Sequence, residues 1–83
     1  MKYSIVIEKP AERFITKLPR PDKERVLKAI YKLPEGDTKP LKGHPGRLRL
    51  RVGDYRIIYI VDNGKLVVCV IDAGNRGQIY RKY

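Results

Sequence analysis

Arg47-Leu48-Arg49-Leu50-Arg51-Val52-Gly53-Asp54-Tyr55-Arg56-Ile57-Ile58-Tyr59-Ile60-Val61-Asp62-Asn63-Gly64-Lys65-Leu66-Val67-Val68-Cys69-Val70-Ile71-Asp72 is the stretch that decides the fold. Residues 47–52 alternate basic and apolar side chains, the period of a strand with one open and one buried face. Gly53-Asp54 and Asn63-Gly64 are both two-residue hairpin signals between apolar runs. The reading is therefore three antiparallel strands in a row. Two-residue turns set Arg51 opposite Arg56, Tyr59 opposite Val68 and Ile57 opposite Val70. One face then carries Leu48, Leu50, Val52, Ile57, Tyr59, Val61, Leu66, Val68 and Val70, and is the expected core face. The other carries Arg49, Arg51 and Arg56, with Ile58, Ile60, Val67, Cys69 and Ile71 beyond them.

Working back towards the N-terminus, residues 34–46 hold three Pro and three Gly and read as a loop. Val26, Leu27, Ile30 and Leu33 form a helical stripe, and Asp22 and Glu24 stand where a helix N-terminus favours acids. Ala11, Phe14, Ile15 and Leu18 form a second stripe, with Pro10 suited to a first helical turn. Residues 3–8 are a short β-rich run. Gly74 and Gly77 break the last strand pattern before a basic tail. The expected fold is α+β: two N-terminal helices packed on one face of a small antiparallel sheet, as a single domain over residues 1–83.

Composition narrows the function. Nineteen Lys and Arg against nine Asp and Glu give a net charge of +10. Residues 1–38 hold nine basic and six acidic side chains, net +3, and residues 39–83 hold ten and three, net +7. The excess lies on the sheet half. A charge of this size in 83 residues favours a polyanionic partner such as nucleic acid over a small neutral substrate. The single Cys69 excludes a disulfide framework and a Cys-based zinc site, and fits a cytoplasmic protein. Residues 1–4 open no secretion signal, and no apolar run reaches membrane-spanning length, so no membrane partner is expected. No His/Cys/carboxylate cluster suggests a metal, and no phosphate-cradling Gly loop suggests a nucleotide cofactor. His44, alone in a Gly/Pro loop, reads first as a surface residue, and Cys69 as a small apolar filler.

Arg51 facing Arg56 is unfavourable by itself, because like charges across a ladder repel. No carboxylate shares that face of these strands. An external anion is the simplest remedy, and guanidinium forks suit phosphate. Arg76 and Tyr80 follow closely enough to swing onto the same end. The plain alternative is a solvated basic face that discourages aggregation, with Tyr80 serving only to dock the tail. The apolar residues Ile58, Ile60, Val67 and Ile71 need a cover, from the tail or from a partner.

The order of two helices, Leu41-Lys42-Gly43-His44-Pro45, the Arg-Leu-Arg strand, Gly53-Asp54-Tyr55-Arg56-Ile57-Ile58-Tyr59 and Gly74-Asn75-Arg76-Gly77-Gln78-Ile79-Tyr80 resembles the RelE/ParE toxin superfamily over nearly the whole chain. The closing Arg and Tyr make it more similar to RelE-type members than to the gyrase-poisoning ParE branch. The resemblance implies a toxin of a type II toxin–antitoxin pair. It would act as a ribosome-dependent, metal-free endoribonuclease that cleaves mRNA in the A site through 2′-hydroxyl attack on the phosphate. Its implied partners are a RelB-like antitoxin, the ribosome and mRNA, with no small-molecule cofactor. By matching to the family, Arg56 is the transition-state arginine, Arg76 assists the leaving group, and Tyr80 stacks on the base and serves as general base. Arg49 and Arg51 fall on a pair of family lysines. Around that centre, Lys42, His44, Arg47, Arg81 and Lys82 are expected to contact RNA. Arginine stays protonated, so the change from lysine puts proton transfer on Tyr80, or on Lys42 or His44. Two other readings stand beside this one: a non-catalytic toxin that inhibits a protein such as gyrase, and a basic RNA-binding module. Sheet-based RNA binders expose several stacking aromatics, which this chain lacks.

Overall fold

The structure is a computed structural model that describes residues 3–83; the reading of residues 1–4 as opening no secretion signal falls partly outside them. The elements run β1 (Ser4–Ile7), α1 (Lys9–Thr16), α2 (Arg20–Ile30), β2 (Thr38–Pro40), β3 (Leu48–Val52), β4 (Tyr55–Asp62), β5 (Val67–Asn75) and α3 (Arg76–Lys82). The strands form one sheet in the order β1-β5-β4-β3-β2. The antiparallel β3-β4-β5 meander is its centre, as the alternation predicts. β1 adds to β5 in parallel, so the sheet is mixed.

Both apolar helical stripes pack on one face. Ala11 and Ile15 of α1 and Val26 and Ile30 of α2 are buried with Leu33 of the following turn against Leu50, Val52, Ile57, Tyr59, Val68 and Val70. Each fully buried Val, Leu or Ile of such a core contributes about 1.5–3 kcal/mol relative to exposure. α1 and α2 carry their acidic first-turn residues, Glu12 and Asp22, at the N-terminal ends where the helix dipole favours them.

Four features depart from the sequence expectations. The segment read as a loop contains β2, an edge strand that tolerates Pro40 because an edge leaves amides unpaired. The β4–β5 loop spans four residues, 63–66, instead of two. Asp62 accepts a hydrogen bond from the Lys65 amide at 3.0 Å, which opens the turn, and Leu66 takes a left-handed conformation at φ 54°. Tyr59 therefore faces Val70 and Val61 faces Val68. This is a shift of two residues, which keeps the side chains of residues 67–71 on their expected faces. Third, β5 runs on through Gly74, which is a strand residue and not a break. Gly77 lies inside a third helix, so the tail is ordered as α3.

The fourth feature is a bulge. Tyr59 pairs with Val70 but Ile58 pairs with Asp72, so Ile71 is squeezed out of register. The bulge turns Ala73 to the helical core and Asp72 to the opposite face. α3 lies on that opposite face, where Ile79 is buried with Ile58 and Leu41 and with half-buried Ile71 and Tyr83 around them. A side chain at Gly74 would meet Ile79 at 3.3 Å, so its absence lets helix and strand lie close. The tail thus covers Ile58 and Ile71. Ile60 and Val6 remain exposed beside half-buried Val67 and Cys69. Among the described residues, no helix is long and apolar enough to cross a membrane.

Candidate active site

Two cross-strand rows and one helix build the site. Arg51, Arg56 and Gly74 lie in one row, and Arg49, Ile58 and Asp72 in the next, all on the face that carries α3. The turn before β4 is tight: Gly53 stands at φ 58°, and a side chain there would meet the Arg25 guanidinium at 3.0 Å. This turn carries the acceptor that holds Arg56.

Arg56 is 6% exposed. Its Nη1 donates to the Gly53 carbonyl at 2.7 Å and the Tyr55 carbonyl at 3.0 Å, while its buried Nε has no partner. Among the described residues no carboxylate forms an ion pair with it. A buried cation with an unfilled donor is costly, and an incoming anion would offset the charge. Arg51, its cross-strand neighbour, is different. It is exposed, its Nε lies 4.0 Å from Asp37, and its amide donates to the Asp37 carbonyl at 2.9 Å. The preceding loop thus gives Arg51 a nearby carboxylate, and the expectation that no strand carboxylate shares this face is corrected by Asp72, which the bulge turns here and which pairs with Lys82. The two arginines expected to share an external anion thus differ: Arg51 has an exposed carboxylate at the edge of ion-pair distance, and Arg56 has none among the described residues.

α3 begins where Asn75 and Gln78 cap it reciprocally, with the Asn75 amide donating to Gln78 Oε1 at 3.1 Å. The Arg76 amide donates to the Asp54 carbonyl at 2.9 Å, which pins the helix start to the β3–β4 turn. One turn on, Tyr80 is 49% exposed. Its phenol lies below the ordinary value of 10.0, chiefly through the hydrogen-bonding pull of the Arg56 guanidinium. The fields of Arg49, Arg56 and Arg76 act in the same direction against desolvation. Arg49, Arg56, Arg76 and Tyr80 are therefore together, while Arg51 points towards Asp37.

The residues expected to contact RNA sit elsewhere around the tail. Lys82 donates to Asp72 at 2.8 Å, and Arg81 donates to the Gly77 carbonyl of its own helix at 3.3 Å. His44 meets the Tyr83 ring edge-on at 5.2 Å and Arg47 lies 5.9 Å from the same ring. Lys42 is exposed. Lys82 is thus engaged with a buried carboxylate, and His44 and Arg47 with an aromatic ring. Cys69 is no core filler: half-buried on the open face, its thiol donates to Glu8 at 3.2 Å. Burial, then Glu8, push it up to about 11. Asp72 and Tyr83 were not singled out from the sequence as parts of this region. The only sign of Asp72 was a carboxylate ending an apolar strand, and the bulge that turns it left no pattern.

Comparison with known proteins decides the family. Residues 5–80 match the model for the ParE toxin of the type II toxin–antitoxin system parDE. The chain belongs to the RelE/ParE toxin superfamily. This toxin is 32% identical to Toxin RelG of Mycobacterium tuberculosis over 99% of its own length and 100% of the relative's. Its fold is similar to the toxin in a RelBE toxin–antitoxin complex from the same organism, with TM-score 0.79, 25% identity, and 92% and 100% of the two chains covered. It also resembles the archaeal RelE–RelB complex of Pyrococcus horikoshii, with TM-score 0.74, 29% identity, and 94% and 99% covered. The α+β architecture expected from the alternating stretch is the fold these structures share.

Proposed function

We propose that this toxin is a ribosome-dependent endoribonuclease of the cytoplasm that cleaves mRNA in the A site without a metal. The observation that carries the reading is the convergence of Arg49, Arg56 and Arg76 on the Tyr80 phenol, with Arg56 buried and unpaired among the described residues. In this reaction the Tyr80 phenolate takes the proton of the 2′-hydroxyl. The 2′-oxygen bonds to the adjacent phosphorus, the P–O5′ bond breaks, and the departing 5′-oxygen takes a proton from water, leaving a 2′,3′-cyclic phosphate and a 5′-hydroxyl. Charge gathers on the non-bridging oxygens in the transition state, and a fixed guanidinium at Arg56 stabilises it there. Arg76 supports the leaving oxygen. A phenol at its ordinary pKa is mostly protonated at neutral pH, and the three cations lower that value by favouring its ionised form. Arg49, in the place of a family lysine, serves as field and phosphate contact, since arginine cannot release its proton.

The partner that neutralises the toxin is an antitoxin, as in the RelB complexes of its structural relatives. An acidic, amphipathic segment suits both the arginines and the exposed strip at Val6, Ile60, Val67 and Cys69.

Expression of the toxin should arrest growth and produce cuts within translated mRNA, mapped by primer extension. Arg76→Ala and Tyr80→Ala should each relieve both effects, by about a hundredfold in cleavage. Undiminished cleavage by both variants would remove the assignment. The match to the ParE family model favours one alternative: arrest without cuts, with inhibited gyrase supercoiling, would establish a protein target instead.

A further inference from the structure

The β5 bulge has a specific effect on one side chain. Without it, strand alternation would put Asp72 beside Val68 and Val70 in the apolar core. With it, Asp72 faces α3 and is 5% exposed. Both carboxylate oxygens are used there. Oδ1 accepts from the Ala73 amide at 2.9 Å. Oδ2 accepts from the Tyr83 hydroxyl at 3.0 Å and from Lys82 Nζ at 2.8 Å. Bulges recur beside active sites because they re-aim a side chain.

α3 needs such a hold. It has seven residues and one buried side chain, Ile79. A helix this short does not persist on its own in water. Its start is tied by the Asn75–Gln78 cap and the Arg76 amide, but neither restrains the end beyond Tyr80. That end is held by Asp72, and by the packing of Tyr83 against His44 and Arg47.

We propose that Asp72 is a positioning residue: through Tyr83 and Lys82 it anchors the end of α3, and thereby keeps Tyr80 beside Arg49 and Arg56. The catalytic importance of that placement rests on the nuclease reading above; the placement itself does not.

Asp72→Ala and Tyr83→Phe in the full-length toxin test this. Two readouts need no RNA: the ionisation of Tyr80, followed by NMR of 13Cζ-labelled tyrosine, and amide exchange over residues 79–82. The geometry predicts that Tyr80 titrates higher in both variants, towards an ordinary phenol, and that exchange speeds about tenfold. The direction is diagnostic. Removing a carboxylate charge without moving α3 would make Tyr80 more acidic, whereas losing its arginine neighbours makes it less so. Tyr83→Phe changes no charge at neutral pH and carries the test if Asp72→Ala does not fold. In ribosome-dependent cleavage, kcat should fall about tenfold or more with KM little changed. Wild-type Tyr80 titration and tail protection in Tyr83→Phe would overturn the proposal. If both variants shift Tyr80 upward while the wild-type protein cuts no RNA, Asp72 keeps its positioning role and only the nuclease reading falls.

Discussion

Arg51 and Arg56 are indistinguishable in the sequence pattern: both stand on the open face, and each is the other's cross-strand neighbour. What separates them is Asp37, which the loop between α2 and β2 brings to Arg51 alone. No local pattern announces such a contact, because it depends on how a Pro/Gly-rich connection closes. The convergence of Arg49, Arg56, Arg76 and Tyr80 was more legible, since strand period and turn length fix two of these residues and Tyr80 stands only five positions past Asn75, where β4's partner strand ends. Arg56 buried with no carboxylate partner among the described residues is a local cost that a bound anion would offset. Arg56→Met fills a similar volume without the charge. Its expected result is equal or greater stability, by up to about 1 kcal/mol in urea unfolding, together with loss of cleavage by a hundredfold or more. A variant that is markedly less stable would show that the guanidinium serves the fold and not an anion.

At the level of elements, alternation identified β3, β4 and the faces of their side chains. The mispredicted β4–β5 loop did no harm because its shift is an even number of residues. The parallel pairing of β1 and the Ile71 bulge were not legible, since both are set by packing between segments remote in sequence. Nor was the tie between β4 and α2, where the Tyr55 hydroxyl donates to Asp22 at 2.6 Å in the first turn of the helix. That bond, ahead of burial and the Asp22 charge, raises the Tyr55 phenol above its ordinary 10.0. A raised folded value means that the protonated form stabilises the fold. The contribution is full below about pH 10 and is lost as pH climbs through the folded value. Tyr55→Phe removes it at the outset. Urea midpoints followed from about pH 8 to pH 11.5 should therefore fall more steeply for the wild type than for the variant in the alkaline range. Parallel curves would show that the tie carries no linkage.

The whole molecule concentrates its charge: ten of nineteen basic residues lie in 39–83 with only three acids. The fold then neutralises part of that excess internally, through Lys82 with Asp72 and Arg51 with Asp37. Arg49, Arg56 and Arg76 form no ion pair among the described residues. They are three of the eight basic residues in 39–83 without an ion pair, and the three whose fields converge on Tyr80, where the phosphate track of a single-stranded RNA is expected to run. Three contacts at about 0.7 counterions each give a slope near −2 in log affinity against log salt. Affinity for RNA or for ribosomes carrying mRNA should then drop about tenfold or more between 50 and 200 mM salt. Arg49→Ala should flatten the slope by about 0.7, because it removes one of the unpaired cations. Lys82→Ala should leave the slope nearly unchanged, since Asp72 already holds that ammonium. If Lys82→Ala flattens the slope as much as Arg49→Ala, the charge that meets RNA is spread over the basic surface, and the division into paired and unpaired cations does not govern binding.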